Sequence, residues 1–140
     1  MAEDALTFDD VAEGDVAPPR SHTLTRTDLV RYSGASGDFN PMHTDDVAAK
    51  DAGLPSVFGH GMFTAGLLAT AITDYVGIGN LRSYRVRFTQ QTWPGEVLTT
   101  KIVVTGKRVE NGEKLVDLDC EVVNGDGDVK VAGSAVGIAD

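Results

Sequence analysis

The stretch Met62-Phe-Thr-Ala-Gly-Leu-Leu-Ala-Thr-Ala-Ile-Thr-Asp-Tyr-Val76 is the longest apolar run in the chain. It is apolar nearly all round, with small alanine and glycine residues interspersed among leucine and isoleucine. A helix of this composition in a globular protein is buried on most of its faces. Gly77 and Gly79 follow the run, and glycine commonly ends a helix. The sequence therefore predicts a buried central helix over about residues 61–76.

Beyond this helix the apolar residues recur with a period of two, which is typical of β-strands. Strand patterns cover residues 81–89, 97–109, 114–124 and 129–138. The pair Asn111-Gly112, between the second and the third of these patterns, is a strong signal for a tight hairpin turn. A buried helix followed by an antiparallel meander over residues 81–138 indicates an α+β fold in which the sheet wraps around the helix.

The region before the central helix contains shorter elements. Residues 1–20 form an acidic N-terminal segment, and a short strand is predicted at about residues 21–24. Thr25 and Asp28 match a capping box, in which each side chain bonds to the backbone amide of the other residue. This pattern favours a helix over about residues 26–33.

The candidate chemistry lies in the segment that follows, residues 33–45. It brings an acid, Asp38, within five positions of an imidazole, His43. Proline fixes its own φ angle and disfavours the helical region for the residue before it, so Asn40-Pro41 stiffens this loop. We therefore expect both side chains on irregular backbone, where they can converge on one point. Together with the start of the central helix, they predict a site built from an acid–base pair and a helix N-terminus.

Composition narrows the class of protein. The chain has 140 residues, which suits one domain over residues 1–140. Its net charge of -9 argues against nucleic acid or an anionic membrane as a partner. No apolar run approaches 18 residues, so no membrane span is expected. The acidic N-terminus lacks the features of a signal peptide, which predicts a cytoplasmic protein. Cys120 is the single cysteine, and its strand pattern predicts that it faces the core.

The sequence also carries the landmarks of a known family. Ser36-Gly-Asp-Phe-Asn-Pro-Met-His-Thr-Asp45 resembles the hydratase motif of the MaoC-like (R)-specific enoyl-thioester hydratases. His60-Gly61-Met62 resembles the start of their long helix. Val86-Arg87-Phe88 and Trp93-Pro94-Gly95-Glu96 resemble the strand and turn that follow. The resemblance covers residues 24–140, and the layout is also similar to small bacterial 3-hydroxyacyl-carrier-protein dehydratases.

This resemblance implies the hot-dog fold, a long helix wrapped by a curved antiparallel sheet. Such units pair, so a homodimer or a heterodimer with a related subunit is expected. The implied reaction is the reversible hydration of a trans-2-enoyl thioester, carried by coenzyme A or by an acyl carrier protein, to the (R)-3-hydroxyacyl thioester. The family needs neither a cofactor nor a metal ion for this reaction.

The resemblance also assigns roles to particular residues. Asp38 orients and deprotonates the water, and His43 holds the same water and shuttles the proton towards C2. The backbone amide of Gly61 donates to the thioester oxygen. Many relatives carry a serine, bonded to the catalytic acid, where this chain has Ala69. Ser36 is therefore a candidate for orienting Asp38.

A further group of residues is expected to shape or line the substrate site. These residues are Asn40, Pro41, His60, Met62, Arg85 and Arg87. His60 fits a structural role better than a catalytic one. The two arginines fit equally the phosphates of coenzyme A and a solvated face of the sheet.

Several alternatives remain open from the sequence. Asp38, His43 and His60 form a possible two-histidine, one-carboxylate metal site. The chain could instead act on carrier-linked substrates in fatty-acid elongation, or as a thioesterase on the same fold. A non-catalytic subunit that only binds acyl thioesters is the alternative from another class, and the intact pair of Asp38 and His43 argues against it.

Overall fold

The computed structural model describes residues 6–140, so the first five residues of the predicted N-terminal segment lie outside the described residues. The strands in this part of the chain are β1 (Ser21–Thr23), β2 (Leu81–Phe88), β3 (Val97–Glu110), β4 (Glu113–Val123) and β5 (Val129–Ile138). The helices are α1 (Arg26–Ser36), α2 (Pro41–Thr44), α3 (Asp46–Asp51) and α4 (Gly61–Val76).

The five strands form one antiparallel sheet in the order β1-β3-β4-β5-β2. Helix α4 contacts β2, β3, β4 and β5. Its residues Leu68, Ile72 and Val76 are almost fully buried and belong to one apolar cluster with Ile102 and Leu118 of the sheet. The sheet therefore packs against helix α4 to form the core. The prediction of an α+β hot-dog fold is confirmed.

The central helix and the hairpin match their sequence signals. Helix α4 begins at Gly61 and ends before Gly77, whose φ of 101° is a backbone conformation that favours glycine. At the hairpin between β3 and β4, Asn111 and Gly112 have φ angles of 51° and 79°. Positive values at both central residues are what a type I′ turn requires. Both predictions are confirmed.

Cys120 lies in the core, as its place in the strand pattern predicted. Its side chain is buried on β4 within the apolar cluster. Burial raises the pKa of the Cys120 thiol to about 11, and the neighbouring charge of Asp119 acts in the same direction. The thiol therefore stays protonated at neutral pH and behaves as a small apolar residue.

The prediction of irregular backbone for both Asp38 and His43 was wrong for His43. Asp38 lies on a loop, but His43 lies on the short helix α2. Asn40 caps this helix, because its side chain accepts a hydrogen bond from the amide of Met42, and Pro41 occupies the first helical position. The restraint that keeps Asn40 out of the helical region is also what makes Asn-Pro a good helix start.

Helix α1 is also longer than its prediction, which ended near residue 33. The helix continues to Ser36 and ends at Gly37, whose φ of 77° is left-handed. The predicted capping box at Thr25 and Asp28 is present. Among residues 6–140, none of the helices combines the length and the apolar character needed to cross a membrane.

Candidate active site

The N-terminus of α4 opens into a cavity of about 570 Å³. Three segments supply most of its walls: the loop and short helix that carry Asp38 and His43, residues 58–64, and residues 88–92. Lys130 and Val131 of β5 complete the lining. The cavity thus joins the acid–base pair to the positive end of a long helix, as the sequence predicted for the site.

His43 is held in place by a hydrogen bond from its ring and by a backbone hydrogen bond beside it. Its Nδ1 lies 2.6 Å from the carbonyl oxygen of Phe58, and the amide of Phe58 donates to the carbonyl of Met42. A carbonyl oxygen only accepts hydrogen bonds, so Nδ1 carries the ring hydrogen. In the neutral ring the lone pair is therefore on Nε2, which points towards Asp38. The side chain of His43 is only 8% exposed.

Asp38 faces the lone pair of His43 across a short gap. Its Oδ2 lies 3.9 Å from His43 Nε2, which is too far for a direct hydrogen bond. A single water molecule can bridge two groups at such a separation. The other carboxylate oxygen, Oδ1, accepts from the amide of Asn40 at 3.2 Å. The carboxylate is half exposed, so water reaches it freely.

Ala69 does not contribute to this arrangement, because its methyl side chain can neither donate nor accept a hydrogen bond. Ser36, the candidate that the sequence offered instead, contacts the backbone of Asp38 and not its carboxylate. Its hydroxyl accepts from the Asp38 amide at 3.1 Å and donates to the Tyr32 carbonyl at 2.7 Å. The carboxylate itself is oriented by the Asn40 amide.

Gly61 provides the third element of the site. It is the first residue of α4, where backbone amides have no acceptor within the helix and the helix dipole is positive. The ring of Phe88 packs directly against it, so a Cβ atom at this position would lie 3.0 Å from two ring carbons. The close packing of Phe88 thus favours glycine at this position.

His60 lies beside the acid–base pair and is almost completely buried. Its Nε2 lies 3.1 Å from the Ser33 hydroxyl and 3.2 Å from the backbone carbonyl of Asp38. Its ring stacks on that of His43, with centroids 3.9 Å apart. Burial lowers the pKa of His60, and the bond to the Asp38 carbonyl only partly offsets this effect.

The other residues predicted for the substrate site are divided between two faces of the sheet. Asn40 and Met62 line the cavity, with Met62 60% exposed, and Pro41 supports them as the first residue of α2. Arg85 and Arg87 do not reach this cavity. They line a separate concavity of about 670 Å³.

The alternation of β2 explains the separation of the arginines from Asp38 and His43. Tyr84 and Val86 pack against the core, so their neighbours Arg85 and Arg87 point to the opposite face of the sheet. Lys101 of β3 lines the same outer concavity. The structure therefore does not bring the two arginines together with the acid–base pair.

Sequence reasoning missed a buried ion pair that borders the cavity. Lys130 is 3% exposed, and its Nζ bonds to the Gln91 carbonyl at 2.9 Å and to Glu96 Oε2 at 3.0 Å. Burial would raise the pKa of Glu96, but hydrogen bonds from Asn124, Lys130 and the Trp93 amide outweigh it and lower the pKa. A charged residue in a strand pattern is normally taken as solvent-facing, so no signal in the sequence pointed to Lys130.

Asp38, His43 and His60 each offer a ligand atom within 4.8 Å of the others. A metal ion would need the in-plane lone pairs of both rings to converge. The two imidazoles are stacked with 26° between their planes, so their lone pairs run side by side. In addition, Nε2 of His60 is already engaged with Ser33 and Asp38. This geometry suits acid–base chemistry better than metal binding.

The chain is similar in sequence to known proteins of one family. The family model described as MaoC like domain matches residues 8–125. Enoyl-CoA hydratase 2, peroxisomal, from Arabidopsis thaliana is 34% identical over 104 residues, which cover 72% of this chain and 34% of that protein. 3-hydroxyacyl-thioester dehydratase Y from Mycobacterium tuberculosis is 39% identical over 82 residues, 56% of this chain and 28% of that protein.

A solved structure agrees with the fold described above. R-Hydratase PhaJ1 from Pseudomonas aeruginosa in the unliganded form superposes with a TM-score of 0.86. The match covers 97% of this chain and 87% of the other, at 24% sequence identity, and at that identity it supports the fold alone. The chain spans about a third or less of the length of the two curated relatives described above.

Proposed function

Because the chain belongs to the MaoC-like domain family of hydratases and dehydratases, we propose that it is an (R)-specific hydratase of trans-2-enoyl-CoA. In this proposal it adds water to the double bond to form (R)-3-hydroxyacyl-CoA, and it catalyses the reverse dehydration. The observation that carries the proposal is the 3.9 Å gap between Asp38 Oδ2 and His43 Nε2 beside the start of α4. Both atoms that face the gap are hydrogen-bond acceptors when Asp38 is ionised and His43 is neutral.

A water in this gap is suited to act as a nucleophile. It donates one hydrogen to Asp38 Oδ2 and the other to His43 Nε2, which leaves a lone pair of the oxygen free for C3 of the substrate. Such positioning replaces the random encounter of substrate and water, and general acid–base catalysis contributes about 10²–10⁴-fold for each group.

The hydrogen bond between His43 and the Phe58 carbonyl indicates the route of the proton in the proposed reaction. One hydrogen of the water stays on the new 3-hydroxyl group, and the other must reach C2. Since Nδ1 of His43 is held by the Phe58 carbonyl, the neutral ring has a free site at Nε2 only. We therefore route the proton from the water to Nε2 and then to C2, while the Asp38 carboxylate holds the other hydrogen. This route gives His43 the proton transfer that the sequence assigned first to Asp38.

The negative charge that develops on the thioester oxygen needs a partner. In the proposal, the amide of Gly61 donates to this oxygen with the support of the helix dipole. Loss of one such donor typically costs about 2.7–4 kcal/mol of transition-state stabilisation. Asn40, Met62 and His60 border the same cavity. The proposed site thus contains a group for the water, for the proton and for the enolate oxygen.

The experiment that tests this function measures product and stereochemistry together. The protein is incubated with crotonyl-CoA, the loss of the conjugated enoyl-thioester absorbance is followed, and the product is resolved on a chiral phase. We expect (R)-3-hydroxybutyryl-CoA. The (S)-product, or release of free coenzyme A as by a thioesterase, would contradict the proposal. Absence of turnover with both CoA-linked and carrier-linked enoyl groups would instead favour a non-catalytic acyl-thioester-binding subunit.

A second candidate function is supported by the outer concavity. Arg85, Arg87 and Lys101 are exposed there, and none of them forms a salt bridge with another described residue. Asp119 and Glu121 line the same concavity. Three cations against two carboxylates give this concavity a small positive excess on a protein with a net charge of -9, which suits an acidic partner. This observation favours a 3-hydroxyacyl-carrier-protein dehydratase, in which the carrier protein docks on the outer face.

The broader context of the proposed enzyme also stays a proposal. We expect a single domain over residues 1–140, paired as a homodimer or with a related hot-dog subunit. A cytoplasmic location remains a prediction from the sequence. The proposed reaction itself requires no cofactor, because water and the two side chains account for every atom and proton that moves.

A further inference from the structure

The backbone of Asp38 is held on both of its sides. Its amide donates to the Ser36 hydroxyl at 3.1 Å, and its carbonyl accepts from His60 Nε2 at 3.2 Å. Ser36 belongs to the same segment of chain and moves with it. His60 lies 22 residues further along the chain, so its bond ties the loop to a different element. This contact is the long-range restraint on the position of Asp38.

The ring of His60 can make this contact in only one form. Since the Asp38 carbonyl cannot donate, Nε2 carries the hydrogen, which it also directs towards the Ser33 hydroxyl at 3.1 Å. Nδ1 then holds the lone pair, and it is buried without a partner among the described residues. Protonation would place a second N–H at Nδ1, where no group accepts it. The lowered pKa of His60 agrees with a ring that stays neutral.

His60 also connects three elements around the proposed reaction. It is the N-cap of α4, its partner Ser33 belongs to α1, and its ring stacks on His43 of α2. Its own peptide bond leads directly to the amide of Gly61. One side chain and one peptide unit therefore separate the backbone of Asp38 from the amide of Gly61, which in the proposed function donates to the thioester oxygen.

We propose that His60 is a positioning residue, which sets the distance between the Asp38 loop and the amide of Gly61. The inference rests on the proposed hydratase function, since these are the two ends of that reaction. The family resemblance implies that many relatives bond the acid through a serine at the place of Ala69. Here the restraint acts on the backbone of Asp38 through Ser33 and His60. His60 thus contributes through Asp38 and not through contact with the substrate.

The test compares three variants by two readouts. His60→Leu removes the donor, His60→Gln keeps an N–H near the place of Nε2, and Ser33→Ala removes only the second partner of the ring. The readouts are kcat and KM for crotonyl-CoA, and the amide hydrogen exchange of peptides from residues 36–43. His22→Leu is the matched control, because His22 bonds to Asp28 at the start of α1, outside the cavity.

We expect His60→Leu to lower kcat about 10- to 100-fold, with little change in KM, because a displacement of about 1 Å in a reacting group has costs of this size. Exchange over residues 36–43 should become faster while α4 stays protected. His60→Gln should recover most of the rate, and Ser33→Ala should fall between the two. His22→Leu should leave kcat unchanged.

Two outcomes would overturn the positioning role. One is a His60→Leu variant with wild-type kcat and wild-type exchange in the loop. The other is a His60→Gln variant no better than His60→Leu, which would show that ring packing and not the hydrogen bond matters. If His60→Leu does not fold, the His60→Gln and Ser33→Ala variants decide between these results. An inactive wild-type protein contradicts the proposed function, whereas an active one with an unaffected His60→Leu variant contradicts only the positioning role.

Discussion

At Gly61 the packing of Phe88 and the proposed role of the backbone amide both favour glycine. Its amide begins α4, and a Cβ atom there would lie 3.0 Å from the Phe88 ring, so the ring would have to shift by a few tenths of an ångström to admit a side chain. Gly66, one turn and a half along the same helix, has nothing within 4 Å of its Cβ position. The two glycines therefore form a matched pair for substitution.

For Gly61→Ala we expect a fall in kcat/KM of about tenfold or more, because Phe88 and the helix start must move apart and the amide loses its alignment. Gly66→Ala should keep the wild-type rate and gain about 0.5–1 kcal/mol of stability, as alanine is the better helix former. Steady-state kinetics and thermal unfolding measure both effects. Equal rates for the two variants would remove Gly61 from the mechanism.

At the residue scale the sequence located the acid and the imidazole but not the way in which they are held. The motif named Asp38 and His43, and the turn propensity of Asn40 was visible. The bond from His43 Nδ1 to the Phe58 carbonyl joins residues 15 apart and leaves no local signature in the sequence. The same holds for His60 and Asp38, which are 22 residues apart. The hydrogen bond to the Phe58 carbonyl decides which ring nitrogen of His43 faces Asp38.

At the element scale, the strong local signals in the sequence were sufficient to predict the central helix and the hairpin. The apolar run of α4 and the turn residues Asn111-Gly112 predicted their elements because local physics alone determines them. The short helix α2 was missed because four residues carry no periodicity. Lys130 was missed for another reason. Its burial depends on the loop 89–96 folding over β5, and this contact exists only in the tertiary structure.

The wall of the cavity formed by residues 89–92 depends on Glu96 and Lys130. Removing one partner of a fully buried ion pair costs about 3–5 kcal/mol. Glu96 is 18% exposed and Lys130 also bonds to the Gln91 carbonyl, so we expect a smaller cost here. We expect Glu96→Gln to lower the unfolding temperature at about pH 7. Since folding lowers the pKa of Glu96 below its ordinary value of 4.5, the wild type has the full contribution above that value and loses it as the pH falls through the folded-state pKa.

Thermal unfolding of wild type and Glu96→Gln over acidic to neutral pH checks this prediction. The two curves should lie apart at neutral pH and approach each other in strongly acidic solution, where the wild-type carboxyl is also neutral. A difference that stays constant down to acidic pH would show that Glu96 acts by packing alone. The double variant Glu96→Gln/Lys130→Met is the control, because it removes both charges together.

At the scale of the whole molecule, the sheet separates two sites. The cavity with Asp38 and His43 lies on the side of α4, and the cations of the outer concavity lie on the opposite face. The period of two in β2 assigns its residues to two faces, but it does not tell which face holds the cavity. The sequence therefore could not decide between the phosphates of coenzyme A and a solvated face for the arginines.

For the double variant Arg85→Ala/Arg87→Ala we expect an unchanged KM for crotonyl-CoA. For an enoyl group on an acidic carrier protein we expect KM to increase about tenfold. Loss of rim charges weakens the encounter with a charged partner, and the effect should fade as salt is added. Arg82→Ala is the control on the same strand, because Arg82 is already paired with Glu113 at 3.1 Å. A higher KM for crotonyl-CoA would instead place the arginines at the coenzyme.

The measurement that bears most directly on the central proposal is kcat/KM for crotonyl-CoA hydration in Asp38→Asn and His43→Gln. Asp45→Asn serves as a control, because Asp45 caps α3 and asparagine can also cap a helix. If Asp38 and His43 share one water, each of the two variants loses about 10²–10⁴-fold with the unfolding temperature preserved, and Asp45→Asn keeps the wild-type rate. Near-wild-type rates in Asp38→Asn and His43→Gln would contradict the account.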